Sequence, residues 1–482
     1  MSATETVLLK GGLIVDGSGA TPGWPGDVLL KDGRIAAIGA ALSDAGAEAI
    51  DCTGLVVAPG FIDVHTHDDA LALEQPDCLP KISQGITTVV AGNCGISVVP
   101  LRTTEPPPPL NLLGRTAFRF ESFAAYQAAL QAAQPAVNVV SLIGHTALRF
   151  ATMGSDVGRP ADAAELARME ALLDEALAQG AQGLSSGLFY TPAAAAPASE
   201  VLALARVVAR HGGVYATHLR DEMAAILEAM HEAADTALKA GVPVIFSHHK
   251  CAGPANWGRT QETLPLIDAF AARQDVGLDV YPYLAGSTVL REDLVDGVIE
   301  VLLTWSDSYP EMSGRSLADI AAEWGVDQQE ACRRLQPGGA CYFQMHEEDV
   351  ERVLAHRLTM IGSDGLPHDR HPHPRLWGAF PRVLARYWRE KGLFGLEEAV
   401  HRMTGLSARQ FRLKDRGELR EGWAADVTVF DPRRVQDLAS FEAPLRRAEG
   451  IARVYVNGAL AYREGAAGTL VRAGRALRRG LG

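Results

Sequence analysis

Two histidines one residue apart close the apolar run GFIDVHTHDD at residues 60–69, and two aspartates follow them. Side chains alternate across a strand, so His65 and His67 share a face while Thr66 points to the other, and two imidazoles converge on one small volume. Other apolar runs end in residues of the same kind: Cys94 in AGNCGIS, His218 in GVYATHLRDE, His248 with His249 in VPVIFSHHK, and Asp364 in LTMIGSDG. Imidazole, thiolate and carboxylate together are the ligand set expected of zinc, and three protein ligands with an open position mark a catalytic site. Each residue also has an ordinary explanation. A lone strand-end histidine usually makes a hydrogen bond, a free cysteine packs as a small hydrophobe, and an aspartate before glycine makes a turn or a cap. Only the ensemble favours the chemical reading.

Positioning such side chains on one volume requires a scaffold that brings distant segments together. Residues before 60 read as short alternating strands broken by Asp-Gly and Gly-Gly turns, and the same texture returns after about residue 417. This predicts one small β domain built from both chain ends, residues 1–59 with 418–482. Between them, over 60–417, apolar strands alternate with Ala- and Leu-rich helical stretches such as DAAELARMEALLDEALAQG. Eight candidate strands (GFIDVHTH, ITTVVAGNCG, VNVVSLIGH, AQGLSSGL, GVYATHLRDE, VPVIFSHHK, VGLDVYPY and LTMIGSDG) predict an α/β fold, a parallel (β/α)8 TIM-type barrel. The candidate ligands fall at the C-terminal strand ends, where such barrels build their sites. Residues 285–345 are long for one crossover and predict an inserted subdomain or lid. EPPPPL at 105–110 reads as a stiff surface spacer. The histidines of GLPHDRHPHP (His368, His371 and His373) read as an exposed loop outside the site, and SSGLFYTP lacks the glycine spacing of a serine nucleophile elbow.

The chain of 482 residues is 47% hydrophobic and 21% charged, a globular balance with room for more than one domain. A net charge of -13 disfavours nucleic acid or an anionic membrane as partner. MSATETVLLKGG has neither the basic nor the apolar region of a signal peptide, and no apolar stretch is long enough to span a bilayer, so the expected location is cytoplasmic. The six cysteines are scattered without CxxC pairs, which argues against a disulfide framework. Oligomeric state leaves no signal in the sequence.

APGFIDVHTHDD, the single histidines of YATHLRDE and FSHHK, and IGSDG, in that order, resemble the amidohydrolase superfamily. GNCG, SHHK, YPY, GSD and HPR near WGAFPRVL resemble more closely its N-acyl-D-amino acid deacylases, over nearly the whole chain. The resemblance implies a metal-bearing barrel in which Cys94, His218 and His248 hold one tightly bound zinc. His65, His67 and Asp364 would then surround a second position, weak or empty. Adjacent strand residues face opposite ways, and the resemblance favours His248 over His249. Many superfamily members bridge two metals with a carbamylated strand-four lysine, but no lysine occurs between Lys81 and Lys239, which leaves Cys94 as the replacement.

The implied activity is zinc-dependent hydrolysis of small-molecule N-acyl-D-amino acids, with metal-bound hydroxide as nucleophile and Asp364 as general base and then acid. D selectivity rests on the resemblance alone. A substrate carboxylate needs a cationic or hydroxyl-rich seat, for which Arg375 is a candidate by its guanidinium and Lys250, Tyr281 and Ser287 by the resemblance. A cyclic-amide hydrolase of the dihydropyrimidinase or dihydroorotase kind is the second reading, disfavoured by the missing lysine. The third is a non-catalytic scaffold of the same fold, disfavoured by the complete ligand set. An apolar pocket would select D-Met or D-Leu derivatives, and an extra cation from Arg291 or Lys250 would select D-Glu or D-Asp.

Overall fold

The computed structural model describes residues 6–480. Eight parallel strands form one sheet: β1 (Phe61–Asp63), β2 (Ile86–Ala91), β3 (Asn138–Gly144), β4 (Gly183–Gly187), β5 (Val214–His218), β6 (Val244–Phe246), β7 (Val276–Val280) and β8 (Thr359–Ile361). Each pairs in parallel with the next in chain order. The sheet closes on itself through Asp364 N, which donates to His65 O at 2.8 Å, and through a parallel bridge between Thr66 and Gly365. These strands are buried throughout, as a sheet covered on both faces must be. Outer helices follow from their caps: Ala163–Ala178 starts from an Asp162–Glu165 capping box, and Ala198–His211 stops at Gly212 in the left-handed region.

The eight candidate strands are the eight barrel strands, but the regular ladder stops before most of the candidate ligands. β1 ends at Asp63, β2 at Ala91, β6 at Phe246 and β8 at Ile361. Cys94, His248 and Asp364 then take φ of 55°, 37° and 51°, a region that non-glycine residues seldom occupy. The chain turns sharply off the sheet at these points, and held strain of this kind clusters at functional sites.

A buried cation ties the two ends of the barrel together. Lys81, on the short helix Leu79–Ile82, donates to Asp63 Oδ2 at 2.9 Å and Ser363 Oγ at 2.7 Å, with Asp68 Oδ2 at 3.3 Å. Asp63 Oδ1 accepts from Ser363 N at 2.7 Å. One ammonium thus links the end of β1 to the loop after β8, the two places from which the paired histidines and Asp364 depart. Burial pushes the Asp68 carboxyl up to about 6 despite Lys81 beside it. Taking away one partner of a buried ion pair leaves the other uncompensated, at about 3–5 kcal/mol. Lys81→Ala is therefore expected to lower the unfolding free energy by about that much, read as a fall in the denaturant midpoint at unchanged slope.

The termini build a second sheet. Val7–Ile14, Trp24–Lys31, Arg34–Gly39, Glu48–Asp51 and Val56–Pro59 join Val427–Phe430, Ile451–Val456 and Ala459–Arg463, with Val56–Pro59 antiparallel to Val427–Phe430 as the seam. Leu9, Ile14, Val28, Val57 and Val429 form its own core. Residues 1–5 and 481–482 of the expected domain lie outside the described residues.

Between β7 and β8 stands a three-stranded antiparallel sheet of Gly286–Val289, Gly338–Tyr342 and Val301–Ser306, packed against helices Leu317–Trp324 and Gln328–Leu335. Two sequence expectations need correction here. Pro106 and Pro109 are buried, so EPPPPL is only partly a surface segment. His373 is buried too, with Nε2 bonded to Ala285 O at 3.0 Å, because the proline-rich loop folds inward against the inserted segment. Among the described residues, no helix is long and apolar enough to cross a membrane.

Candidate active site

At the C-terminal mouth of the barrel the strand ends deliver three overlapping groups of ligand atoms. Within each group all atoms lie within 4.8 Å of one another: His65, His67 and Cys94; Cys94, His218 and His248; His65, His248 and Asp364. Cys94 Sγ is 3.2 Å from His65 Nε2 and 3.3 Å from His248 Nε2. Asp364 Oδ1 is 3.4 Å from His65 Nε2 and 3.2 Å from His67 Nε2. The His218 ring meets the His248 ring edge-on, centroids 4.4 Å apart. His249 instead bonds Thr263 Oγ1 at 2.8 Å, and burial pushes its ring down to about 4, so it stays neutral.

The loop that presents Cys94 is held from several sides. Gly92 N donates to Asp69 Oδ2 at 3.1 Å, and Gly95 N donates to Ser185 Oγ at 2.9 Å. A Cβ at Gly92 would stand 2.2 Å from Leu142 O, and its φ is 81°, so glycine is needed for both space and conformation. The two aspartates after the paired histidines thus have separate duties. Asp68 faces Lys81, and Asp69 anchors the cysteine loop.

The cluster fits a divalent ion. Zinc ligands at about 2.0–2.3 Å in a tetrahedron stand about 3.3–3.8 Å from one another, close to the thiol–imidazole spacings here. Nδ1 of His218 and Nδ1 of His67 are buried without a hydrogen-bond partner among the described residues, and His218 Nε2 has Glu222 Oε2 at 3.4 Å. Four acidic groups (Cys94, Glu222, Asp279 and Asp364) surround two cations (Lys250 and Arg375), so the centre is short of positive charge. Burial opposes a Cys94 thiolate, yet His65 and His248 hold the thiol well below its ordinary value. Burial likewise opposes charge on His67, but Asp364 and Cys94 raise it to about 9. A dication answers that demand while leaving the rings free to ligate.

Two acidic residues in the site escaped the sequence reading. Asp279, at β7, contacts His65 Nδ1 at 3.1 Å and the main-chain N of His248 at 2.9 Å. Glu222 lies 3.1 Å from His248 Nδ1 and accepts from Lys250 Nζ at 2.7 Å. Its position four residues after His218 in HLRDE was the one available signal.

Beside the cluster is a partly enclosed cavity whose wall includes Lys250, Tyr281 and Ser287. Arg375 is fully buried just behind it, 2.9 Å from Asp364 Oδ2 and stacked 4.4 Å over the Tyr281 ring. Its Nη1 makes that ion pair and its Nη2 donates to Ser287 O at 3.1 Å, whereas Nε and the Ser287 hydroxyl have no hydrogen-bond partner among the described residues. The rest of the wall is mixed: Leu112, Phe189, Met223, Leu294 and Leu366 alternate with the polar Tyr190, Glu222, Thr288, Tyr342 and Gln344. Arg291 faces a separate outer cavity, paired with Asp293 at 2.5 Å.

The model of the amidohydrolase family matches residues 48–462. The chain is 53% identical over 475 residues to a D-aminoacylase of Alcaligenes xylosoxydans xylosoxydans, covering 98% of this chain and 97% of the relative. It is 50% identical to an N-acyl-D-aspartate deacylase of the same organism, over 95% of this chain and 92% of that one. A solved N-acyl-D-glutamate deacylase from Bordetella bronchiseptica, complexed with zinc and a phosphonate inhibitor, superposes with a TM-score of 0.95 at 46% identity, over 98% of this chain and all (100%) of that one. Dihydropyrimidinase from Brevibacillus agri, at 16% identity and a TM-score of 0.61, is similar in fold alone.

Proposed function

Because this chain belongs to the amidohydrolase family, we propose that it hydrolyses N-acyl-D-amino acids to a carboxylate and the free D-amino acid, using zinc. One observation carries the reading: a thiol, four imidazoles and a carboxylate meet at the mouth of a barrel, against a cavity wall that carries the unengaged Ser287 hydroxyl. Cys94, His218 and His248 would hold the tightly bound ion, and His65, His67 and Asp364 a second, weaker one. A bound zinc supplies Lewis acidity toward water and the amide carbonyl.

The chain's own groups supply the rest. Asp364, within reach of both outer histidines, takes a proton from the attacking water and returns it to the leaving nitrogen. Lys250, Tyr281, Ser287 and Arg375 seat the substrate carboxylate and so fix which face of the amide is presented. Leu112, Phe189, Met223, Leu294 and Leu366 on the cavity wall favour an apolar amino-acid side chain. Lys250 is already shared between Glu222 and the seat of the first carboxylate, and Arg291 pairs with Asp293 on the outer side, so neither cation is left for a second carboxylate. All six cysteines are free and buried, in keeping with a reducing cytoplasm.

The test offers racemic N-acetyl-methionine, N-acetyl-leucine and N-acetyl-glutamate, with and without chelator, and measures the chirality of the released amino acid. The expected products are D only, faster from the apolar substrates, abolished by chelator and restored by zinc. Release of the L product, or turnover indifferent to chelation, would overturn the proposal.

A further inference from the structure

We infer that Asp279 is a positioning residue shared by both sets of zinc ligands, an inference that rests on the zinc-deacylase reading above. Asp279 is buried at β7, and its Oδ1 lies 3.1 Å from His65 Nδ1 and 2.9 Å from His248 N. One oxygen therefore touches a residue of each set. The contact with His65 selects the tautomer that carries its proton on Nδ1, which leaves the Nε2 lone pair facing Cys94 Sγ at 3.2 Å and Asp364 at 3.4 Å.

The contact with His248 does a different job. His248 sits at φ 37°, a conformation that a side chain disfavours and that persists only where neighbours hold it. Its N–H donates to Asp279 Oδ1, and the next residue, His249, donates its N–H to Asp279 O at 2.8 Å. The turn that aims His248 Nε2 at Cys94 is thus pinned by one residue through both its side chain and its backbone. Gly362 leaves room for this arrangement: a Cβ there would stand 2.5 Å from His65 Cβ and 3.1 Å from Asp279 Oδ1. Asp279 does not itself line the substrate cavity and meets it only through His248, so it acts on the ligands and not on the reacting atoms.

Outer partners of this kind change metal affinity by about 10–100-fold when removed. Asp279→Asn in the full chain is expected to weaken zinc binding by about that factor in chelator competition, with the melting temperature of the zinc-free protein near wild type. Glu200→Gln is the contrast. Glu200 is a buried carboxylate paired with His145 at 2.8 Å and with Arg149, neither of them a zinc ligand, and its loss should lower the melting temperature and leave zinc affinity unchanged. Wild-type zinc affinity in Asp279→Asn, or an affinity that falls only together with its melting temperature, overturns the inference. Should Asp279→Asn not fold, nitrogen-15 NMR of the zinc-loaded wild-type histidines decides: His65 protonated on Nδ1 supports it, and protonation on Nε2 defeats it. A wild-type protein that binds no zinc or releases no D-amino acid would instead sink the deacylase reading, and this inference with it.

Discussion

Asp364→Asn is expected to keep zinc at the tight position and lose about 10²–10⁴ in turnover, the contribution typical of a general acid-base group. Asparagine is nearly isosteric and tolerates the left-handed backbone found at Asp364, φ 51°, so the turn after β8 should survive. What disappears is the proton acceptor. Burial favours the neutral acid, but Arg375, His65 and His67 outweigh it and hold the carboxyl well below its ordinary range, so it is ionised at neutral pH. A carboxylate held that strongly is a weak base, and the Arg375 guanidinium 2.9 Å away is the leading reason. A substrate carboxylate engaging Arg375 from the cavity side would dilute that attraction and raise Asp364 toward a more useful basicity. Substrate binding and proton transfer are then coupled through one ion pair. The measurement is kcat at saturating substrate beside elemental zinc per chain. Near-normal kcat with full zinc would remove Asp364 from its role.

Much of this arrangement could be read from the chain because it depends on local pattern. Strand–helix alternation specifies a parallel barrel, and the C-terminal end of each barrel strand projects into one mouth, so His65, Cys94, His218, His248 and Asp364 could be grouped from widely separated segments. The paired histidines do converge on one carboxylate oxygen, although β1 ends two residues before the first of them. Asp279 and Glu222 were not legible for the opposite reason. Each is an ordinary acidic residue by its neighbours, and its importance lies in what it meets across the barrel, His65 from 214 residues away in one case. His373 was misplaced because proline and charge usually mark exposed loops, whereas here an inserted sheet covers the loop and turns the histidine inward.

Cys94→Ser is expected to strip the tight zinc and take turnover to background. Serine keeps the Cβ and the small volume, so the loop pinned by Asp69 and Ser185 should keep its course. The ligand is lost because a hydroxyl, unlike a thiol, does not ionise at neutral pH even in this field. Two imidazoles remain of the set of three, and the acidic groups around the centre fall to Glu222, Asp279 and Asp364 against Lys250 and Arg375. Affinity should therefore drop by more than the about 10–100-fold that follows loss of an outer partner. Cys94→Asp separates charge from sulfur. It restores an anionic zinc ligand of similar reach, and partial recovery of bound metal is expected, though with oxygen in place of the softer donor. Zinc per chain after dialysis reads both variants, and in the cobalt-substituted wild type a sulfur-to-metal absorption band should appear that both lack. A serine variant that still carries one zinc per chain through dialysis would mean that the thiol is not a ligand, and the barrel mouth would have to hold its metal by imidazole and carboxylate alone.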